Sequence, residues 1–412
     1  MFETMKQDAQ YVIERSLAAV QPDEAVKRAL AGRSFPGRII PVAVGKAAWQ
    51  MAKAAADVLG DMLSTGIVIT KYGHVMGPIP GMACREAGHP VPDENSFAAA
   101  SEALRLTENL SGTDTVLFLL SGGGSALFEV PLVSPETLRD VTEQLLACGA
   151  DITEINTIRK RLSAVKGGRF ALHCAPSKIL SVILSDVVGG RADMIASGPA
   201  CPDSSTCAEA LAAAEKYSLR LSEKTKRLLG EETPKELDNV ETIISGSVRD
   251  LCSAAADACR DLGYDPQILT ASLTCEAKEA GADLGRKVRA LASSGKAAAL
   301  IAGGETVVKL TGKGKGGRNQ ELALAAAEEI AGLDDVLVFS LGSDGTDGPT
   351  DAAGGMVDGK TRDALLSQGL VIPEVLKAND SWQALKAVDG LIVTGPTGTN
   401  VNDVAVALIR PR

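Results

Sequence analysis

The apolar run at residues 116–120 breaks into Ser121-Gly122-Gly123-Gly124-Ser125, a stretch whose composition suits an anion. Glycines allow positive φ values and close approach of the backbone, and successive N–H groups with two hydroxyls offer donors to phosphate oxygens. The stretch is neither a Walker A loop, since no Lys-Ser/Thr closes it, nor a GxGxxG fingerprint. A tight turn would use the same glycines, and the strand before it is what favours a ligand. Lys46 follows another apolar run, residues 42–44, just ahead of a helix-like stretch. A lysine there gains nothing from the helix dipole, whose N-terminal end is already positive, and its placement makes sense with an anion bound between them.

Further along, Asn156-Thr157-Ile158-Arg159-Lys160-Arg161-Leu162-Ser163-Ala164-Val165-Lys166-Gly167-Gly168-Arg169 carries positive charge without an acid. Helical spacing would put Arg159, Ser163 and Lys166 on one stripe, with Gly167-Gly168 ending the helix. Such a run is either a solvated face or a dock for something anionic. Asp186 stands at a strand terminus, where a carboxylate can hold a metal ion, accept a proton from a hydroxyl, or merely cap a helix. The C-terminal part is denser still. Gly303-Gly304-Glu305 precedes a glycine-rich loop with Lys313, Lys315, Arg318 and Asn319, and then come Asp344, Asp347 and Asp351 in one loop and Thr399-Asn400-Val401-Asn402-Asp403 in another. Cations that neutralise a transferring group, acids that hold Mg²⁺ and flexible N–H donors are the parts phosphoryl transfer needs.

These residues share a position. Eight short apolar runs, beginning near residues 42, 67, 116, 182, 243, 300, 336 and 391, each end in glycine or a polar residue. In an open parallel α/β sheet, ligands bind beyond the carboxyl ends of strands, which makes these ends a polar, anion-handling region. From about residue 39 to 200, strand-like and helix-like stretches alternate as in βαβ units. At 412 residues, two domains are expected. The charged stretch 220–241, with Pro234, sets the boundary near residue 236, dividing 1–236 from 237–412. Long Ala-rich helices are expected at 253–262, 275–293 and 319–330.

A net charge of −10 argues against a nucleic-acid partner. Eight cysteines fall in no zinc-like spacing, and three scattered histidines leave acid/base work to carboxylates. Neither a signal peptide nor an apolar stretch of membrane-spanning length is evident, so the expected location is the cytoplasm.

Taken together, Val44-Gly45-Lys46-Ala47, Ser121-Gly122-Gly123-Gly124-Ser125-Ala126, Lys166-Gly167-Gly168-Arg169, Ser185-Asp186-Val187-Val188-Gly189, Gly316-Gly317-Arg318-Asn319-Gln320-Glu321, Ser343-Asp344-Gly345-Thr346-Asp347-Gly348 and Thr397-Gly398-Thr399-Asn400 resemble the type-II, MOFRL-containing glycerate kinases. Members of that class often carry the label hydroxypyruvate reductase. The resemblance covers nearly the whole chain. It implies a Rossmann-like N-terminal α/β domain with a parallel sheet, a smaller C-terminal α/β MOFRL domain, and an active site in the cleft between them. It implies ATP-dependent phosphorylation of D-glycerate to 2-phosphoglycerate with Mg²⁺, by a monomer or homodimer. Lys46 and Arg318 carry over as central to activity. Asp186 is then the first choice as base, Asp344, Glu305 and Asp347 as metal-side acids, residues 121–125 with Asn319 and Asn400 as phosphate or substrate contacts, and Arg159 or Lys166 as the partner of the substrate carboxylate. An NAD(P)H-dependent hydroxypyruvate reductase is the competing reading, and it lacks the dinucleotide fingerprint.

Overall fold

The computed structural model describes residues 2–184, 193–292 and 295–410. Its contacts divide the chain into a central unit, Pro22–Ser245, and a terminal unit made of Met1–Gln21 with Gly246–Arg412.

The central unit is built on six strands: β1 (Ile39–Val44), β2 (Gly66–Lys71), β3 (Met82–Ala87), β4 (Thr115–Leu120), β5 (Lys178–Ile183) and β6 (Val240–Ile244). Their order is β3-β2-β1-β4-β5-β6, and every neighbouring pair is parallel. This is the parallel sheet of βαβ units expected from the alternating pattern, and the Rossmann-like domain that the resemblance implies. β1 and β4 are buried along their whole length, as strands covered on both faces must be, which is why they read as unbroken apolar runs. The order reverses between β1 and β4, so the segments leaving these two strands diverge and open a crevice at their carboxyl ends.

Three rings fix the floor of that crevice. Phe118 on β4 packs against Phe128 and Phe170 with ring centroids 5.9 and 5.0 Å away, and Phe128 meets Phe170 edge-on at 5.2 Å. Phe128 directly follows the short helix Gly124–Leu127, so the apolar cluster pins the glycine turn from below.

The terminal unit carries a second six-stranded sheet: β7 (Asp265–Leu273), β8 (Ala298–Gly304), β9 (Val336–Gly342), β10 (Gly354–Asp358), β11 (Leu391–Ile392) and β12 (Asp403–Ile409). Its order is β11-β10-β9-β12-β8-β7. Only β7 and β8 are parallel; β12 inserts antiparallel between β8 and β9. The helices Ala277–Ala292 and Arg318–Ile330 form one pair on this sheet. A methyl at Gly281 would fall 2.0 Å from Leu322 O, so glycine permits their close contact.

The division of the chain departs from the boundary expected at residue 236. β6 lies beyond that residue yet pairs with β5, completing the central sheet. The helix Phe2–Ala19 belongs with the C-terminal half, where Asp8 accepts hydrogen bonds from Tyr264 Oη (2.6 Å) and Arg410 Nη2 (2.8 Å). Both departures are long-range pairings that composition does not record.

The positive run also folds differently. Its helix is Ile152–Arg161, closing at Leu162, and Gly167 and Gly168 (φ 58° and 81°) open the next helix, Arg169–Cys174, instead of ending the first. Lys160 and Arg161 are buried rather than solvated, Lys160 donating to Asp203 at 3.0 Å and Arg161 to Thr157 O and to Ser205.

Candidate functional site

At the switch point of the central sheet, the loops leaving β1 and β4 are stitched together by backbone bonds. Lys46 N donates to Gly122 O (2.9 Å), and Ser121 N donates to Val44 O (2.9 Å). Ser121 Oγ accepts from Ala47 N at 3.0 Å. Ser121 is therefore buried and spent on joining the two loops, which corrects the expectation that its hydroxyl meets a ligand. Gly45 (φ 122°) has no room for a side chain here, because a methyl would lie 2.2 Å from Ser121 Oγ.

What remains open is the turn itself and Lys46. The N–H groups of Gly122, Gly123, Gly124 and Ser125 have no acceptor among the described residues. The Lys46 side chain is exposed beside them. Unengaged N–H donors next to a cation form a site for an anion. Gly123 carries φ 90° and sits under both Lys46 and His89, and a methyl there would lie 3.3 Å from Lys46 Cγ and 3.0 Å from His89 Cδ2. We expect Gly123→Ala to cost about 1–2 kcal/mol from the left-handed backbone alone and to displace both side chains. Thermal melts together with phosphate-analogue titration check this.

Below the turn lies a buried ion cluster. Lys166 is fully enclosed and donates to Ser125 O and Phe128 O, each at 2.9 Å. Its Nζ is 3.3 Å from Glu129, which is also fully buried, and Arg159 Nη2 lies 3.8 Å from the same carboxylate while donating to Ser125 O at 3.2 Å. Burial, with the Arg159 charge adding to it and Glu129 opposing, brings the Lys166 ammonium down to about 8. Lys166, expected to hold a substrate carboxylate, has no surface to offer one. It and Arg159 instead clamp the carbonyl that closes the glycine turn.

Opposite Ser125, the backbone at Ala196, Ser197 and Gly198 is left-handed (φ 51°, 61° and 66°). Gly167 N to Ser197 O (3.0 Å), Gly168 N to Gly198 O (2.7 Å) and Ser197 Oγ to Asn156 Oδ1 (2.9 Å) hold it there. Consecutive left-handed non-glycine residues persist only where surrounding bonds over-determine them. Asp186, expected as the base, lies outside the described residues.

The terminal unit gathers its own charged residues at the start of the helix Arg318–Ile330. Arg318 makes a two-pronged pair with Asp403 (Nε to Oδ2 2.6 Å, Nη2 to Oδ1 3.0 Å) and donates through Nη1 to Glu305 at 3.1 Å. Burial works against the Arg318 charge, but Asp403 more than offsets it and holds the guanidinium above its usual range. Three of the five N–H donors are engaged, leaving two for another acceptor.

Two expected site residues serve the fold here. Asp347 accepts Asn319 N (3.1 Å) and Gln320 N (2.9 Å), capping the otherwise unsatisfied first turn of the helix from outside. Burial pushes Asp347 up to about 6 against those two backbone bonds, with the Asp403 charge adding to the rise. Asn319 is buried, its Nδ2 donating to Asp347 Oδ1 and its Oδ1 accepting from Ser340 Oγ. Both are corrected from ligand contacts to cap. Asp344 is half-exposed, its Oδ1 taken by Thr346, and Asn400 is exposed. A methyl at Gly342 would lie 3.4 Å from both Asp344 Oδ1 and Asp403 Oδ1, so these two acids border one point. Among the described residues, no three His, Cys, Asp or Glu side chains are grouped to hold a metal ion.

Asp403 and His89 are the members the sequence reading missed. Asp403 had a usable signal, since an acid heading an otherwise apolar strand needs a partner; His89 is a lone histidine in a proline-rich loop and offers none.

Comparison with known proteins bears on both units. A family model described as a domain of unknown function (DUF4147) matches residues 8–230, and the MOFRL family model matches residues 298–403. The chain is 52% identical to a D-glycerate 2-kinase from Thermotoga maritima, over 99% of each chain. It is 43% identical to a glycerate 2-kinase from Pyrococcus horikoshii, over 92% of this chain and 89% of that one. A crystal structure of a Thermotoga maritima glycerate kinase superposes with a TM-score of 0.94 at 51% identity, covering 99% of this chain and 100% of the other.

Proposed function

The chain belongs to the family of glycerate kinases that join a DUF4147 domain to a MOFRL domain, and we propose on that premise that it transfers the γ-phosphoryl group of ATP to the 2-hydroxyl of D-glycerate, giving 2-phosphoglycerate in the cytoplasm. The observation that carries the reading is the glycine turn at the β1/β4 switch point, with four unengaged N–H groups beside an exposed Lys46. Such a cradle binds phosphate oxygens without a Walker A sequence.

In this reading Lys46 and the turn hold phosphate oxygens, and Arg318 neutralises charge that grows on the transferring group. Phosphoryl transfer asks little covalent chemistry of the protein, so preorganised donors supply most of the rate. Asp403 and Glu305 fix the Arg318 plane before substrate arrives, which lowers the cost of orienting it.

Glu305 and Asp344 are the acids that would hold Mg²⁺, an ion that binds through one or two carboxylates together with substrate phosphates and water. When bound, the ion supplies charge neutralisation at those oxygens. Asp347, enclosed as a helix cap, is left out of that set.

The test is a coupled assay with NMR of the product. Glycerate-dependent ADP release and phosphorus on C2 are expected. NADH oxidation with hydroxypyruvate and no ADP release would overturn the reading in favour of a reductase, and phosphorus on C3 would overturn the regiochemistry.

A further inference from the structure

His89 borders the anion cradle and has no part in the transfer as described so far. It follows β3 and precedes the helix Glu94–Leu106, half-buried, with the Nε2 edge of its ring over Gly123. A methyl built on Gly123 would lie 3.1 Å from His89 Nε2 and 3.3 Å from Lys46 Cγ. The imidazole and the lysine therefore flank one point directly above the unengaged N–H groups.

Neither ring nitrogen of His89 has a hydrogen-bond partner among the described residues. The chain's other histidines do: His74 Nδ1 lies 2.9 Å from Lys46 O, and His173 Nε2 lies 2.9 Å from Leu104 O. The ring nitrogens of His89 are therefore not spent on the fold and are open to a bound reactant.

The charged groups facing His89 are Lys46 after β1 and Lys71 and His74 at and after the end of β2. The acid in its own loop, Asp93, is turned away, accepting from Ser96 N (2.9 Å) and Tyr72 Oη (2.6 Å). Burial first, and then these positive neighbours, hold His89 below the usual imidazole range. At neutral pH the ring is uncharged, with one nitrogen carrying a free lone pair.

We propose that His89 is a catalytic residue, the proton acceptor for the substrate hydroxyl in phosphoryl transfer. This rests on the kinase reading and deepens it. As the hydroxyl oxygen forms its bond to the γ-phosphorus, the O–H bond breaks and its proton passes to the unprotonated ring nitrogen. The bond from the γ-phosphorus to the β-bridging oxygen breaks, and its electron pair leaves with ADP. The imidazolium so formed lies beside newly placed phosphate charge and returns its proton to water after release.

The experiment is steady-state glycerate phosphorylation between about pH 5 and pH 9 for wild type, His89→Gln, His89→Asn and Asp186→Asn, with nucleotide binding and thermal melts as controls. Each His89 variant is expected to lose kcat/KM by roughly 10²–10⁴-fold. Wild type is expected to lose rate on the acid side as the imidazole takes up a proton, and the variants to lack that fall while nucleotide affinity and melting stay unchanged. A folded variant that keeps turnover within about threefold, or keeps the acid limb, overturns the assignment, as does loss of that limb in Asp186→Asn alone. Wild type that consumes no nucleotide with glycerate overturns the kinase reading itself; active wild type beside an unaltered His89→Gln overturns only this inference.

Discussion

Replacing Lys46 with alanine is expected to lower kcat about a hundredfold or more while leaving the melting temperature unchanged. The scale is that of losing one preorganised donor to developing negative charge. The unchanged stability follows from the structure, because the Lys46 side chain is exposed while its backbone N–H joins the β4 loop at Gly122 O and its C=O lies 2.9 Å from His74 Nδ1 after β2. Arg318→Ala is expected to cost similarly in turnover, and also in stability, since it strands the buried Asp403 carboxylate without its two-pronged partner. The contrast makes the pair informative. Initial rates at saturating substrate, set beside calorimetry, check both, and near-normal turnover in either variant removes that residue from the transfer.

The largest stability effect is expected beneath the glycine turn. Lys166→Met leaves the fully buried Glu129 without its 3.3 Å partner, with only Arg159 at 3.8 Å remaining, and it leaves the Phe128 carbonyl without its Lys166 donor. Breaking one side of a buried pair costs about 3–5 kcal/mol. At about 2–4 °C per kcal/mol for a domain of this size, the melting temperature falls by roughly 10 °C. The double variant Lys166→Met/Glu129→Leu is expected to melt above the Lys166→Met single, because it removes the stranded charge. The pH dependence has a definite sign. Lys166 sits at about 8 in the folded chain, below the ordinary lysine value of about 10.4, so between those values the unfolded chain holds more protons and stability rises with pH. The stability gap between wild type and Lys166→Met therefore widens from about pH 8 to pH 10, and parallel melts across that window measure it.

How legible these features were in the sequence depended on burial. β1 and β4 are covered on both faces, so each reads as an apolar run, and the run-to-glycine break marked the crevice correctly. β3 (Met82-Ala83-Cys84-Arg85-Glu86-Ala87) and β7 lie at sheet edges with mixed faces and gave no such signal. β12 is apolar after its leading Asp403 but is not followed by a glycine break, and its antiparallel insertion is a matter of partners that local residues do not encode. Motif reading singled out Lys46, Arg318 and the glycine turn because their residue types stand together in short stretches. It mistook Lys166, Asn319 and Asp347 for ligand contacts, because a buried lysine and a helix cap use the same residue types as a binding site. Only distances separate the two uses.

The pairing of the first helix with the C-terminal half has a consequence for biogenesis. The central unit is an uninterrupted stretch, so the ribosome delivers all of Pro22–Ser245 before any of Gly246–Arg412. Phe2–Ala19, which precedes that stretch, must wait through the whole interval for the helix Val248–Asp261 and for Tyr264 and Arg410 to emerge. Until they do, its apolar face, with Met5, Val12 and Ile13, lacks its native cover, exposed hydrophobic surface of the kind that makes nascent chains prone to misassociate.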